Sequence, residues 1–115
     1  MKHTIILILA LLVLSVQASH AKTRSYYEVE CSVSGTPTDC LEAIRYSLKD
    51  LKRYNKSVHG TIYGELCDLS KKACEFKRFY KRDPKNYRAG QKACQLYTYY
   101  KSKEKAWLRW YDRHH

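Results

Sequence analysis

The chain has 115 residues, with 22 Lys or Arg against 11 Asp or Glu, and a formal net charge of +11. No stretch after the first 21 residues is apolar for long enough to span a bilayer, which excludes a membrane span in that part of the sequence. The remaining length of about 94 residues is that of one domain, and because a domain of this size has a small core, cross-links would help to stabilise it.

The first 21 residues have the composition of a secretory signal peptide. Lys2 gives a positive start, residues 5–16 form an apolar run broken only by Ser15, and small residues follow. Cleavage after Ala21 fits these small residues, and cleavage after Ala18 is an alternative. We therefore expect a signal peptide over residues 1–21 and a single secreted, extracellular domain over residues 22–115. An uncleaved signal anchor is the other interpretation.

Two elements are predicted in the first half of the domain. Residues 26–33 alternate between apolar and polar side chains, which predicts a short extended segment. A helix should begin near Asp39, since Asp39 and Glu42 form a capping-box pattern, and its apolar stripe predicts that it runs to about Tyr54. Residues 55–64 follow as a predicted loop with two glycines. This loop contains a glycosylation sequon that begins at Asn55.

Two longer helices are predicted in the second half. The first should start near Gly64 or Glu65, with an apolar stripe that continues to Tyr80. The second should follow Asp83 and Pro84, because Asp83 can cap a helix and proline suits the first helical position, and it should run to about residue 111. The predicted fold class is therefore all-α: a small, disulfide-stabilised domain of about three helices with a short extended N-terminal segment.

Five cysteines follow the signal peptide, and an exported protein should pair them as disulfides with one left over. Cys74 lies nine residues before Asp83 and Cys94 eleven after it. In an antiparallel helical hairpin these two positions come level, so Cys74–Cys94 is the first predicted bridge. Cys67 then needs Cys31 or Cys40, and a Cys40–Cys67 bridge is the second prediction. The cysteine left over, Cys31, would be a buried thiol or the link in a disulfide-bonded dimer.

Residues 60–74 resemble part of a Kazal-type protease-inhibitor domain. The positions in that family's register are Gly60, Tyr63, Cys67, Leu69 and Cys74. The resemblance implies a serine protease inhibitor with Cys31–Cys74 and Cys40–Cys67 bridges and Cys94 as the orphan. It covers only fifteen residues, and a helix that carries two cysteines accounts for the same spacing.

The positive charge is concentrated in the second half of the domain. Residues 22–70 hold seven basic and seven acidic side chains, whereas residues 71–115 hold fourteen basic and four acidic ones and ten of the fifteen aromatics. This imbalance indicates a negatively charged partner, and a solvated face that only maintains solubility is the alternative. Tyr99 and Trp110 lie off the apolar stripe of the last predicted helix, and we predict that they are exposed contacts. The predicted binding residues are Lys71, Lys72, Lys77, Arg78, Lys81, Arg82, Lys85, Arg88, Lys92, Tyr99 and Trp110.

No pattern in the sequence indicates catalysis or metal binding. The histidines after the signal peptide are His59, His114 and His115. An acid–base pair needs two imidazoles held in position, and the last two of these histidines are the final residues of the sequence, so they give little support for such a pair. There is no nucleophile-turn motif, no zinc-type cysteine spacing and no glycine-rich phosphate loop. We expect a non-enzyme that needs no metal and no cofactor.

The expected function is that of a secreted, non-enzymatic binding protein. Its basic, aromatic C-terminal half would dock onto an acidic extracellular protein or a heparan-type sulfated polysaccharide. The alternative is a cationic defence or toxin protein that acts on anionic membrane surfaces, indicated by the tail KSKEKAWLRWYDR with its two tryptophans. A Kazal-like inhibitor is a third, less favoured interpretation. Nucleic acid is not an expected partner, because the signal peptide directs the chain out of the cell.

Overall fold

The structure, a computed structural model, describes residues 22–115, and this part of the chain contains four α-helices and no strand. The helices are α1 (Arg24–Ser34), α2 (Pro37–Arg53), α3 (His59–Phe76) and α4 (Pro84–His114), with short 3-10 helices at Lys56–Val58 and Lys77–Tyr80. The all-α fold class is therefore confirmed, with four helices in place of about three. The predicted signal peptide lies outside the described residues.

The N-terminal segment that was predicted to be extended is helix α1, so that prediction is wrong. Thr23 caps the helix by accepting a hydrogen bond from the Tyr26 backbone N–H. Gly35 ends it in the left-handed conformation, with φ 61°, and donates its N–H to the Cys31 carbonyl at 2.9 Å. Cys31 is 1% exposed, whereas Val33 is 74% exposed. The alternating residues therefore point in different directions around a helix and do not share one face of a strand.

The first and second predicted helices correspond to α2 and α3, and they differ from the structure mainly at their starts. Helix α2 starts two residues before Asp39, because Pro37 occupies its first turn, where a missing N–H costs no hydrogen bond. Helix α3 starts at His59, five residues before the predicted start. The predicted loop over residues 55–64 is therefore wrong for most of its length. The ring of Trp107 from α4 packs against Gly60 and covers this first turn of α3.

The core consists of two neighbouring clusters between the helices. The larger joins α2, α3 and α4 through Ile44, Ile62, Leu66, Cys67 and Tyr100. The smaller joins all four helices through Cys31, Cys40, Ala73 and Ala93. Small side chains in this second cluster let the helix backbones approach closely, which fixes how the helices cross.

An ion-pair group ties α1 to α2 at the edge of this core. The Arg24 guanidinium lies 2.6 Å from the buried Asp50 carboxylate and 2.7 Å from Glu28. Hydrogen bonds to these two carboxylates raise the pKa of Arg24 above its usual range. Arg24 thus neutralises a buried acid that would otherwise be costly to fold.

The two disulfides are Cys31–Cys40 and Cys74–Cys94. The predicted Cys74–Cys94 bridge is confirmed, and it joins α3 to α4 with the two Cα atoms 4.7 Å apart. The predicted Cys40–Cys67 bridge is wrong. Helix α1 ends at Gly35, where the chain reverses direction into α2. This reversal places Cys31 of α1 beside Cys40 at the start of α2. Cys67 is the free, buried cysteine, and the Kazal-type pairing is excluded as well.

Gly90 of α4 lies close to the end of α3. A Cβ atom on this residue would collide with the Cβ atom of Lys77 and lie 3.3 Å from the Ala73 carbonyl oxygen. Gly64 also lies inside a helix, but a Cβ there would meet only the Glu104 Oε2 atom at 3.7 Å. The helix contact at Gly90 therefore leaves no room for a side chain, whereas Gly64 has room for one.

This difference predicts that replacing glycine with alanine has opposite effects on the free energy of unfolding at the two positions. Gly64→Ala should stabilise the protein by about 0.5–1 kcal/mol, because alanine is the better helix former. Gly90→Ala should destabilise it by roughly 1–3 kcal/mol, because the added methyl group forces α3 and α4 apart. Chemical denaturation of both variants measures the two changes, and stabilisation by Gly90→Ala would contradict the close approach.

Candidate binding surface

Nine basic side chains cover the end of α3, the 3-10 turn and the start of α4; we call them the basic surface. They are Lys71, Lys72, Lys77, Arg78, Lys81, Arg82, Lys85, Arg88 and Lys92. Seven are exposed, and Lys72 and Lys77 are half-buried. Within residues 22–115, every ion pair involves Arg24, Arg45 or Lys101, and none involves the basic surface. The predicted cationic residues therefore have no direct ion-pair partner in the part of the chain that the structure describes, and cations outnumber acids around them.

The turn that joins α3 to α4 is the tip of the helical hairpin, residues 77–82. Phe79 lies at this tip and is 63% exposed. The Arg78 guanidinium lies over its ring at 4.8 Å, and the Phe76 ring meets it edge-on at 5.4 Å. A shallow cavity of about 450 Å³ beside the ring is lined by residues 78–83. The tip thus combines an exposed aromatic ring with several cations.

Hydrogen bonds attach this tip to the junction between α1 and α2. The Tyr80 hydroxyl donates to the Ser34 carbonyl at 3.1 Å and lies 3.1 Å from Thr36 Oγ1. Asn86 Oδ1 accepts from both the backbone N–H and the hydroxyl of Thr38, at 3.0 and 2.8 Å. The charged turn is therefore held against the first half of the chain.

Asp83 caps α4 as the sequence predicted. Its carboxylate accepts the Asn86 backbone N–H at 3.3 Å and the Asn86 side-chain amide at 2.7 Å. These hydrogen bonds lower the pKa of Asp83, so the carboxylate stays ionised at the N-terminus of the helix. The ionised carboxylate also attracts the neighbouring Lys85, which adds to the lowering of its pKa.

A groove of about 810 Å³ runs between α4 and the first two helices. Lys85, Arg88 and Lys92 line its α4 side, spaced so that they share one helix face. Lys22 and Tyr27 add to the lining, and the opposite wall carries two acidic side chains. The sequence did not indicate Lys22, because its position beside α4 depends on how α1 packs.

The two predicted aromatic contacts lie away from the tip, farther along α4. Tyr99 is 54% exposed, with the Lys103 ammonium over its ring at 5.4 Å. Trp110 is half-buried and lies under the Lys56 ammonium at 4.5 Å, so it is less accessible than the sequence predicted. The exposed aromatic beside the cations is Phe79, which no site prediction included. Its place three residues after Phe76, just before Asp83-Pro84, was the available signal.

Asn55 is exposed at the turn that precedes the first 3-10 helix, and its side chain makes no capping hydrogen bond. An acceptor asparagine needs such an exposed position, so the predicted glycosylation at Asn55 is sterically open.

The three histidines of residues 22–115 each form a hydrogen bond with a nearby backbone carbonyl. His59 bonds the Tyr54 carbonyl, His114 the Trp110 carbonyl and His115 the Tyr111 carbonyl.

Two further findings concern the described residues only. No group of three His, Cys, Asp or Glu side chains in residues 22–115 is placed to hold a metal ion. None of the helices in that range has the length and apolar character needed to cross a membrane.

Comparisons with known proteins found no matching family model, no matching curated protein and no matching solved structure.

The free thiol of Cys67 lies in the core, 5% exposed. Burial raises its pKa, and the nearby Glu104 carboxylate adds to this effect. A link to a second chain through this cysteine would require α3 and α4 to separate first.

We predict that Cys67 resists alkylation in the folded protein, because the reactive thiolate is both scarce and covered. Iodoacetamide treatment followed by peptide mass spectrometry should label Cys67 only after denaturation, with the other four cysteines unlabelled until reduction. Rapid labelling of Cys67 under native conditions, or labelling of Cys31 in its place, would contradict the disulfide assignment.

Proposed function

We infer that this is a secreted, non-enzymatic binding protein whose basic surface docks onto an acidic extracellular partner, either a protein or a sulfated polysaccharide. The observation that carries the proposal is the set of nine neighbouring cations without an ion-pair partner among the described residues. Two disulfides and a sterically open sequon at Asn55 are compatible with export.

Contact with an anion would relieve repulsion that the fold itself creates. Like charges held on one rigid surface raise the free energy of the folded protein, and a bound polyanion lowers it. In this region Glu75 and Asp83 are the nearby acids in sequence, and Asp83 serves as the cap of α4. A partner with several negative groups would complete the charge balance.

Electrostatic docking of this kind acts mainly on the rate of association and depends on salt. Exposed cations attract a partner over about one Debye length, roughly 8 Å at physiological ionic strength. Lys85, Arg88 and Lys92 would meet a partner that lies along the groove, and the cations of the tip one that lies across the turn. The proposal requires no metal, no cofactor and no catalytic residue.

The tail of α4 supports the membrane-active alternative less well than its composition suggests. The Trp107 indole N–H donates to the Lys56 carbonyl, and Trp110 lies under the Lys56 ammonium. Both indoles are half-buried, Trp107 against Gly60 at the start of α3 and Trp110 beneath Lys56, so both are less available to a bilayer than exposed rings would be.

Heparin affinity chromatography tests the proposal with two matched variants. One changes Lys81, Arg82, Lys85 and Arg88 to Ala, and the other changes Lys103, Lys105, Arg109 and Arg113 to Ala. Each removes four exposed cations, so the net charge of the two variants is the same. We expect the first to bind heparin roughly tenfold to a hundredfold more weakly, because fewer cation contacts release fewer counterions.

The second variant should elute close to the unmodified protein, since its four changes lie at the far end of α4. Equal losses in both variants would mean that net charge alone controls binding and would contradict a defined basic surface. Circular dichroism of each variant controls for folding.

A further inference from the structure

The hairpin tip carries an aromatic ring that the proposed function does not use. Phe79 is 63% exposed, whereas Phe76 behind it and Tyr80 after it are half-buried. We propose that the tip, residues 77–82, is a contact site for anionic phospholipid bilayers, in which the Phe79 ring enters the interface while Arg78, Lys81 and Arg82 meet the headgroups.

The fold keeps Phe79 outside by anchoring the residues on both sides of it. The Phe76 ring packs against the Gly35 backbone so closely that a Cβ atom on Gly35 would collide with it. The Tyr80 hydroxyl is held by the Ser34 carbonyl at 3.1 Å. With both neighbours committed to the α1–α2 junction, the ring between them is left at the end of the hairpin.

The surroundings of the ring fit a lipid surface. The Arg78 guanidinium lies over the Phe79 ring, and the exposed Lys81 and Arg82 follow in the same turn. Aromatic side chains enter the headgroup region of a bilayer, and neighbouring Lys and Arg side chains are attracted to anionic lipids. The cations would lie at headgroup level while the ring reaches below it.

All three anionic partners complement the charge of the tip, and the exposed Phe79 ring favours a bilayer over the two partners named above. A sulfated polysaccharide is bound through cations and gives a phenyl ring no apolar environment. An acidic protein would need an apolar pocket matched to the ring, whereas the acyl boundary of a bilayer accepts the ring without a shaped pocket. The inference therefore goes beyond the proposed function, although both use some of the same cations.

Sedimentation with vesicles tests the inference directly. The probes are vesicles of phosphatidylcholine alone and vesicles that also contain phosphatidylserine as a minor component. We expect the unmodified protein to bind only the second kind. Phe79→Ala should weaken this binding roughly tenfold by removing buried apolar area, and Phe79→Leu should retain most of it.

Tyr54→Ala is the matched control. Tyr54 is also an exposed ring, 52% exposed, but it lies at the end of α2, away from the tip, and is not one of the predicted binding residues. This variant should bind vesicles as the unmodified protein does. All three variants should elute from heparin at the same salt concentration as the unmodified protein, because none of them removes a charge.

The outcomes separate the two proposals. Vesicle binding that Phe79→Ala leaves unchanged would overturn the inference, since attraction would then be electrostatic alone. Heparin binding without any vesicle binding would overturn it too, while the proposed function stands. Binding to neither would overturn the inference and also the sulfated-polysaccharide form of the proposed function. Selective loss of vesicle binding in Phe79→Ala, with heparin elution unchanged, is the result we expect.

Discussion

The cross-link between α3 and α4 is the constraint on which the rest of the molecule depends. The Cys74–Cys94 bridge closes a loop with a sequence separation of 20, and seven of the nine cations of the basic surface lie inside it. A loop of this size contributes about 3 kcal/mol by restricting the unfolded chain. This stabilisation offsets the repulsion among the cations, so the chain can concentrate like charge on one short hairpin.

The first half of the domain acts as the support for that hairpin. Helices α1 and α2 are joined by the Cys31–Cys40 bridge and by the Arg24–Asp50 ion pair, and their junction receives Phe76 and Tyr80. This half has equal numbers of basic and acidic side chains, so it adds no net repulsion. Core packing and disulfides thus position a charged surface that has little apolar contact of its own. Such a division suits a protein that acts by presenting a surface and not by enclosing a ligand.

The parts of the fold that the sequence predicted are those set by local signals. The Asp83-Pro84 restart fixed the start of α4, and its position midway between Cys74 and Cys94 was enough to predict their bridge. The predictions that were wrong concern features that depend on how the helices pack against each other. Alternation over residues 26–33 is compatible with a helix that buries one cysteine, and the Cys31–Cys40 bridge follows only once that helix exists. The exposure of Phe79 and the partial burial of Trp110 result from contacts with residues far away in sequence. The spacing of apolar residues along one helix does not indicate such contacts.

Localisation of binding to the basic surface can be measured residue by residue. The measurement is the change of backbone amide NMR shifts when a size-defined heparin oligosaccharide is added to the isotope-labelled protein. We expect large shift changes within residues 71–92 and progressively smaller ones along α4 beyond Tyr99. We also expect these changes to diminish as salt is raised, because the attraction is screened. Changes of equal size over residues 101–113, or changes that persist at high salt in the core of α2, would contradict this localisation.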